Sequence, residues 1–211
     1  MPIPEQILNG LGEIATTWRW LAVIWHAYLA VLVIGLALGV RPPRRVSGIL
    51  VGLPLLSVSA LAWWSGNPFN GSVFGLVGVL VLAISARLGE TRVIVAPPWA
   101  WVPGVLMVIF GWLYPHFLKA TSFVAYLYSA PLGLIPCPTL SMVVGLGLLM
   151  GGFGSRGWTL IVGITGLFYG LFGTVRLGVS LDWVLVVGAL WLVLMARGLK
   201  RVDQGVNPGG A

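Results

Sequence analysis

The chain has 211 residues, a formal net charge of +7, 58% hydrophobic residues and only 8% charged ones. Globular domains carry about 25% charged residues, so these proportions exclude a soluble fold of this size. The single cysteine, Cys137, excludes an internal disulfide framework and a cysteine-only metal cage.

Residues 1–17 lack the Lys/Arg-rich start of a secretory signal, and no small-residue cleavage pattern follows them. Ile7, Leu8, Leu11, Ile14 and Ala15 recur at helical spacing, with Glu5 and Glu13 elsewhere on the turn. The segment reads as a retained interfacial helix. From residue 18 to 201 the chain predicts an all-α, polytopic bundle of transmembrane helices. Seven apolar stretches stand at 18–40, 46–64, 73–88, 98–114, 133–152, 158–175 and 183–196. A helix of about 20 apolar residues crosses a ~30 Å hydrocarbon core. Residues 117–130 are interrupted by Lys119, Thr121, Ser122 and Ser129. They predict a short interfacial or re-entrant helix before the fifth span, capped by Thr121 or Ser122. The Gly-rich tail, 202–211, predicts a disordered cytoplasmic end.

Placing the N-terminus outside puts nine of the twelve basic residues in the cytoplasm: Arg41, Arg44, Arg45, Arg87, Arg92, Arg156, Arg197, Lys200 and Arg201. Only Arg19, Lys119 and Arg176 fall outside. The positive-inside rule therefore predicts N-out, C-in, and an even span count would break the pattern. The expected home is the plasma or inner membrane, with lipid as the surrounding partner and no nucleic acid. Trp18, Trp20, Trp63, Trp64, Trp112 and Trp183 would form an outer aromatic belt, and Trp99, Trp101 and Trp158 an inner one. Gly163, Gly166, Gly170 and Gly173 share one face of the sixth span, as Gly71, Gly75, Gly78 and Ser85 do on the third. Such faces predict close helix packing.

His26 lies eight residues into the first span, about 12 Å below the outer surface. An ionisable side chain at that depth is a functional candidate, with a hydrogen bond to a neighbouring helix as the alternative. His116 closes the fourth span. Pro136 and Pro138, with Pro131, predict a broken helix that leaves backbone carbonyls free around Cys137. The candidate metal set is therefore Cys137, His26 and His116, a thiolate and two imidazoles that suit a soft ion. The alternative is a kinked helix start around a buried, inert thiol. Arg176 and Asp182 predict an ion pair across the last outer turn.

Several chemistries have no residues to carry them. The last span holds no mid-span lysine for a retinal Schiff base, and there is neither a phosphate-binding Gly-rich loop nor a His-Glu-x-x-His pair. No catalytic set is assigned.

Tyr114-Pro115, the run Pro131-Leu132-Gly133-Leu134-Ile135-Pro136-Cys137-Pro138-Thr139, Gly145-Leu146-Gly147-Leu148-Leu149, and Leu177-Gly178-Val179 with Asp182 form a spaced series in the C-terminal half. The series resembles an uncharacterised bacterial and archaeal multi-span membrane family of unknown function. Leu132 stands where that family carries an aromatic. The resemblance implies a shared site around Cys137 and Asp182 and supplies no activity. The functional expectation is a small permease or membrane receptor, with an outward-facing site for a soft metal ion or small solute. The competing expectation is a non-catalytic membrane subunit that anchors a redox or enzyme complex.

Overall fold

The computed structural model describes residues 3–117 and 122–199, and every regular element among them is helical. The tail 202–211, Lys119, Thr121, Lys200 and Arg201 lie outside the described residues. The helices are α1 (Pro4–Thr17), α2 (Arg19–Ala37), α3 (Arg44–Trp64), α4 (Pro68–Ala86), α5 (Pro98–Leu113), α6 (Tyr126–Ser129), α7 (Pro136–Leu149), α8 (Arg156–Leu171) and α9 (Trp183–Gly198). Proline opens α1, α4, α5 and α7, where a missing N–H is no loss because the first turn has no internal acceptor. Asn67 caps α4 by accepting from the Asn70 amide, and Ser155 caps α8 by accepting from Trp158.

Five segments are long and apolar enough to cross a membrane: Arg19–Ala37, Arg44–Trp64, Pro68–Ala86, Arg156–Arg176 and Ser180–Gly198. Large apolar side chains on them face outward, with Val31 73% and Leu38 just beyond α2 79% exposed. Water would oppose such a surface and lipid would not, so the chain is an integral membrane protein by composition and by surface. α5 and α7 are also apolar but shorter, at 16 and 14 residues. At 1.5 Å per residue α7 reaches only about 21 Å.

That shortness has a structural reason. α7 is the central helix, with twelve of its fourteen residues buried, and the non-helical residues 130–135 leading into it are buried as well. Irregular backbone at this depth is tolerated where protein covers it. α5 lies directly against α7, with Gly111 on the backbone of Pro138 and Met142, and Gly145 on that of Gly104 and Val108. A Cβ at Gly111 would stand 2.7 Å from the Met142 nitrogen, so the two backbones approach only because these residues are glycines. α3 pairs with α4 and α8 with α9, the latter through Gly163, Gly166 and Gly170.

Pro136 and Pro138 do not interrupt a helix, as the sequence predicts, but stand in the first turn of α7. The carbonyls expected to be free are taken. The Pro131 carbonyl accepts from Leu134 and Ile135, the Ile135 carbonyl from the Thr139 hydroxyl at 2.7 Å, and the Cys137 carbonyl from Ser141 at 2.8 Å. Thr139 also accepts from the Gly133 amide, which closes the turn on itself. Before it, Ser122 caps a 3-10 turn, Phe123–Ala125, that runs into α6.

The connections gather at two ends. At one, the residues after α2 and after α4 pair as a short antiparallel bridge, Pro43 with Arg92, and Arg44 stacks on Gly154. Arg41, Arg44, Arg45, Arg87, Arg92 and Arg156 therefore share this end. At the other, Trp18 meets Trp64, and Arg19 donates to Ser129 and Tyr128. α1 rests there through Leu11 and Ile14 on Ala22, Leu61, Leu134 and Ile135. Trp158, expected in the inner aromatic belt, is instead fully buried against Phe153, with its indole N–H lacking an acceptor among the described residues.

Candidate functional site

Three segments far apart in sequence bring polar side chains together at the end opposite the arginines. Tyr114 follows the last turn of α5, Cys137 is the second residue of α7, and Asp182 ends a 3-10 turn, Ser180–Asp182, that leads into α9. The Tyr114 hydroxyl donates to Asp182 Oδ1 at 2.6 Å, and the Cys137 thiol donates to Asp182 Oδ2 at 3.2 Å. Asp182 is 1% exposed and Tyr114 fully buried, whereas Cys137 is partly buried. Each carboxylate oxygen thus has its own donor, as a buried acceptor requires.

The carboxylate sits between two helix N-termini, those of α7 and α9. Unpaired amides at a helix start carry a partial positive charge, which favours an anion there. Asp182 occupies the N-cap position of α9 but makes no capping bond, and turns toward Tyr114 and Cys137 instead. Space for this comes from the end of α8. The residues Phe172–Arg176 form a π-helical turn, and Gly173 lies directly under the Asp182 carboxylate. Any side chain at Gly173 would occupy the space of that carboxylate. Gly178, at φ +72°, turns the chain back so that the Val179 amide can donate to the Gly173 carbonyl.

The expected Arg176–Asp182 ion pair is absent. Arg176 is exposed at the close of the π turn, and the ion pair among the described residues is Arg45–Glu90 at 3.7 Å. His26 bridges α2 and α5: its Nδ1 faces the Ala22 carbonyl at 2.8 Å, its Nε2 the Trp112 carbonyl at 3.2 Å, and its ring stands edge-on to Trp112. His116 packs against Phe117. Among the described residues no three of His, Cys, Asp and Glu gather as a metal-ligand set. The structure thus joins Cys137 to Asp182, and gives both nitrogens of His26 other partners.

Two participants carry no site role in the sequence reading. Tyr114 figures there only through its Tyr-Pro pair, and Gly173 only as part of a packing stripe. A second buried polar pair, the Tyr169 hydroxyl donating to Asn70 Oδ1 at 2.9 Å between α8 and α4, has no sequence signal at all. Chemically, the cluster offers a carboxylate that a cation or a donor group could engage by displacing the phenol or the thiol. No protein-family model, no curated protein and no solved structure matches this chain.

Proposed function

We propose that this chain is a seven-span membrane receptor, oriented N-out and C-in, whose Tyr114–Asp182–Cys137 cluster is an outward-facing site for a small cation or hydrogen-bond-donating solute. The single observation that carries the reading is the convergence of three separated polar side chains on one buried carboxylate. Ordinary packing does not call for it, since a buried carboxylate is among the costliest groups to enclose. α5 and α7 complete the count of seven, and the gathering of arginines at the opposite end supports the orientation. A soft metal ion remains among the candidate ligands because Cys137 supplies a thiol beside a carboxylate.

Receptor is preferred to permease because several buried hydroxyls are spent within their own helices. Ser85, Ser141 and Thr165, buried along the helices, donate back to carbonyls of their own helices and line no path. The same self-pairing, with the exposed apolar flank of α2, favours the second reading, a subunit that anchors a membrane complex.

Cys137 is the only cysteine, so one reagent tests the site. A membrane-impermeant maleimide applied to intact cells is expected to label Cys137, with Cu(I) or Zn(II) slowing the reaction if a soft ion is the ligand. Labelling only from the cytoplasmic face of inverted vesicles would refute the orientation. No labelling from either face would refute an open site and leave the anchoring subunit.

A further inference from the structure

The arginine-rich end carries a second feature, unrelated to the Tyr114–Asp182–Cys137 cluster. A groove of about 250 Å³ opens between α2 and α3, walled by Leu32, Gly35, Leu36, Leu50 and Met150. Its walls are apolar but for Ser47, whose hydroxyl is buried and has no hydrogen-bond partner among the described residues. A buried hydroxyl without an acceptor is the unusual state for such a group and calls for a partner that the groove would admit. Beside the groove arginines outnumber the acid Glu90. Arg41 lies in the chain between the lining residues Val40 and Pro42, and Arg44 and Arg45 form the first turn of α3, just before Ser47. That turn is also the positive end of a helix. No acidic residue stands in the first turn of α3, and Glu90 engages only Arg45.

We propose that this groove seats an acyl chain of an anionic phospholipid, with the lipid phosphate on Arg41, Arg44 and Arg45 and an ester carbonyl accepting from Ser47. The features match the amphiphile: an apolar slot, one hydroxyl in its wall, and three arginines in the segments that flank it, of which Arg41 already donates one nitrogen to the Leu36 and Val40 carbonyls. Guanidinium forks bind phosphate oxygens in pairs, which a zwitterionic headgroup satisfies less well because its own ammonium competes. Gly35 keeps the slot open, since a Cβ there would meet only Val40, at 3.8 Å.

The test uses the purified full-length chain in mild detergent. Native mass spectrometry compares retention of phosphatidylglycerol with that of phosphatidylcholine of the same chain length, and glycerol phosphate serves as a headgroup without a tail. Wild-type protein is expected to prefer phosphatidylglycerol by about tenfold or more, because the anionic headgroup gains the arginines and the zwitterionic one competes with them. Gly35→Trp should fill the slot and remove retention of both lipids, while Arg44→Gln/Arg45→Gln should abolish the preference and keep weak binding. Thermal unfolding of each variant shows that it is folded, and Val31→Trp, at a position that also lines the groove, replaces Gly35→Trp if that protein does not fold. Equal retention of the two lipids by wild type, unchanged binding in the tryptophan variant, or glycerol phosphate binding as well as the intact lipid would each overturn the proposal.

Discussion

At the arginine-rich end Arg45 and Glu90 meet at 3.7 Å with side chains 51% and 71% exposed, whereas at the opposite end Asp182 is 1% exposed and held by a phenol and a thiol. The first end keeps its charges at the surface, where water and lipid headgroups can solvate them, and ties its loops together through backbone pairing. The second buries the Asp182 carboxyl and must satisfy it from within, with two donors and two helix N-termini. Charge is cheap at the first end and dear at the second. A substitution should therefore matter according to which end it falls in, far more than according to the size of the side chain removed.

The sharpest way to break that contrast is Asp182→Ala. It strands the Tyr114 hydroxyl and the Cys137 thiol together, and each unpaired buried donor costs roughly 1–3 kcal/mol. The expected loss is about 2–4 kcal/mol of stability, read as a lower midpoint of thermal unfolding in detergent. A midpoint equal to wild type would mean that the carboxylate is not holding the three segments together. Gly173→Ala comes next. Its methyl would intrude on the Asp182 carboxylate, and forcing an extra methyl into a filled space costs about 1–3 kcal/mol. Gly10→Ala in α1 is the control, because nothing lies within 4 Å of the added Cβ there. If the two alanine variants unfold alike, Gly173 is a packing residue like any other.

These variants also mark where the sequence stops being informative. Apolar length alone reveals the helical class, and the end of the chain on which Cys137, His116 and Asp182 gather follows from counting arginines. Pairing within that end is another matter. A shared estimated depth predicts His26 and Cys137 together, but depth along a helix says nothing of the direction a side chain faces. His26 looks across to the Trp112 carbonyl, and Cys137 looks toward α9. Arg176 and Asp182 flank one short outer connection, which predicts an ion pair across it. The π turn Phe172–Arg176 leaves the guanidinium exposed and brings Gly173 under the carboxylate. A π turn adds one residue to a helical repeat and leaves no hydrophobic pattern by which to find it. Trp158 departs from its expected place for a similar reason: an aromatic near a helix end belongs to the belt only if its face meets lipid, and α8 turns this one inward.

The smallest effect is the one that makes the contrast quantitative. Glu90→Gln removes the acidic half of the Arg45 pair, at a place where both groups stay in contact with solvent. Water replaces the lost partner at once, and the freed guanidinium needs no other. Exposed pairs of this kind contribute about 0.2–1 kcal/mol, at the low end when the contact is long and made by a single nitrogen. The Arg45–Glu90 contact is of that sort, so Glu90→Gln should lower the unfolding midpoint barely, and less still as salt is raised. The salt series separates two origins for whatever loss appears. A loss that shrinks with ionic strength belongs to the ion pair, and a loss that persists belongs to the loop carrying Glu90, whose neighbour Thr91 accepts from the Arg44 amide at 2.9 Å. If Glu90→Gln destabilises the protein as much as Asp182→Ala does, in any salt, the two ends do not differ in how they hold charge, and the contrast fails.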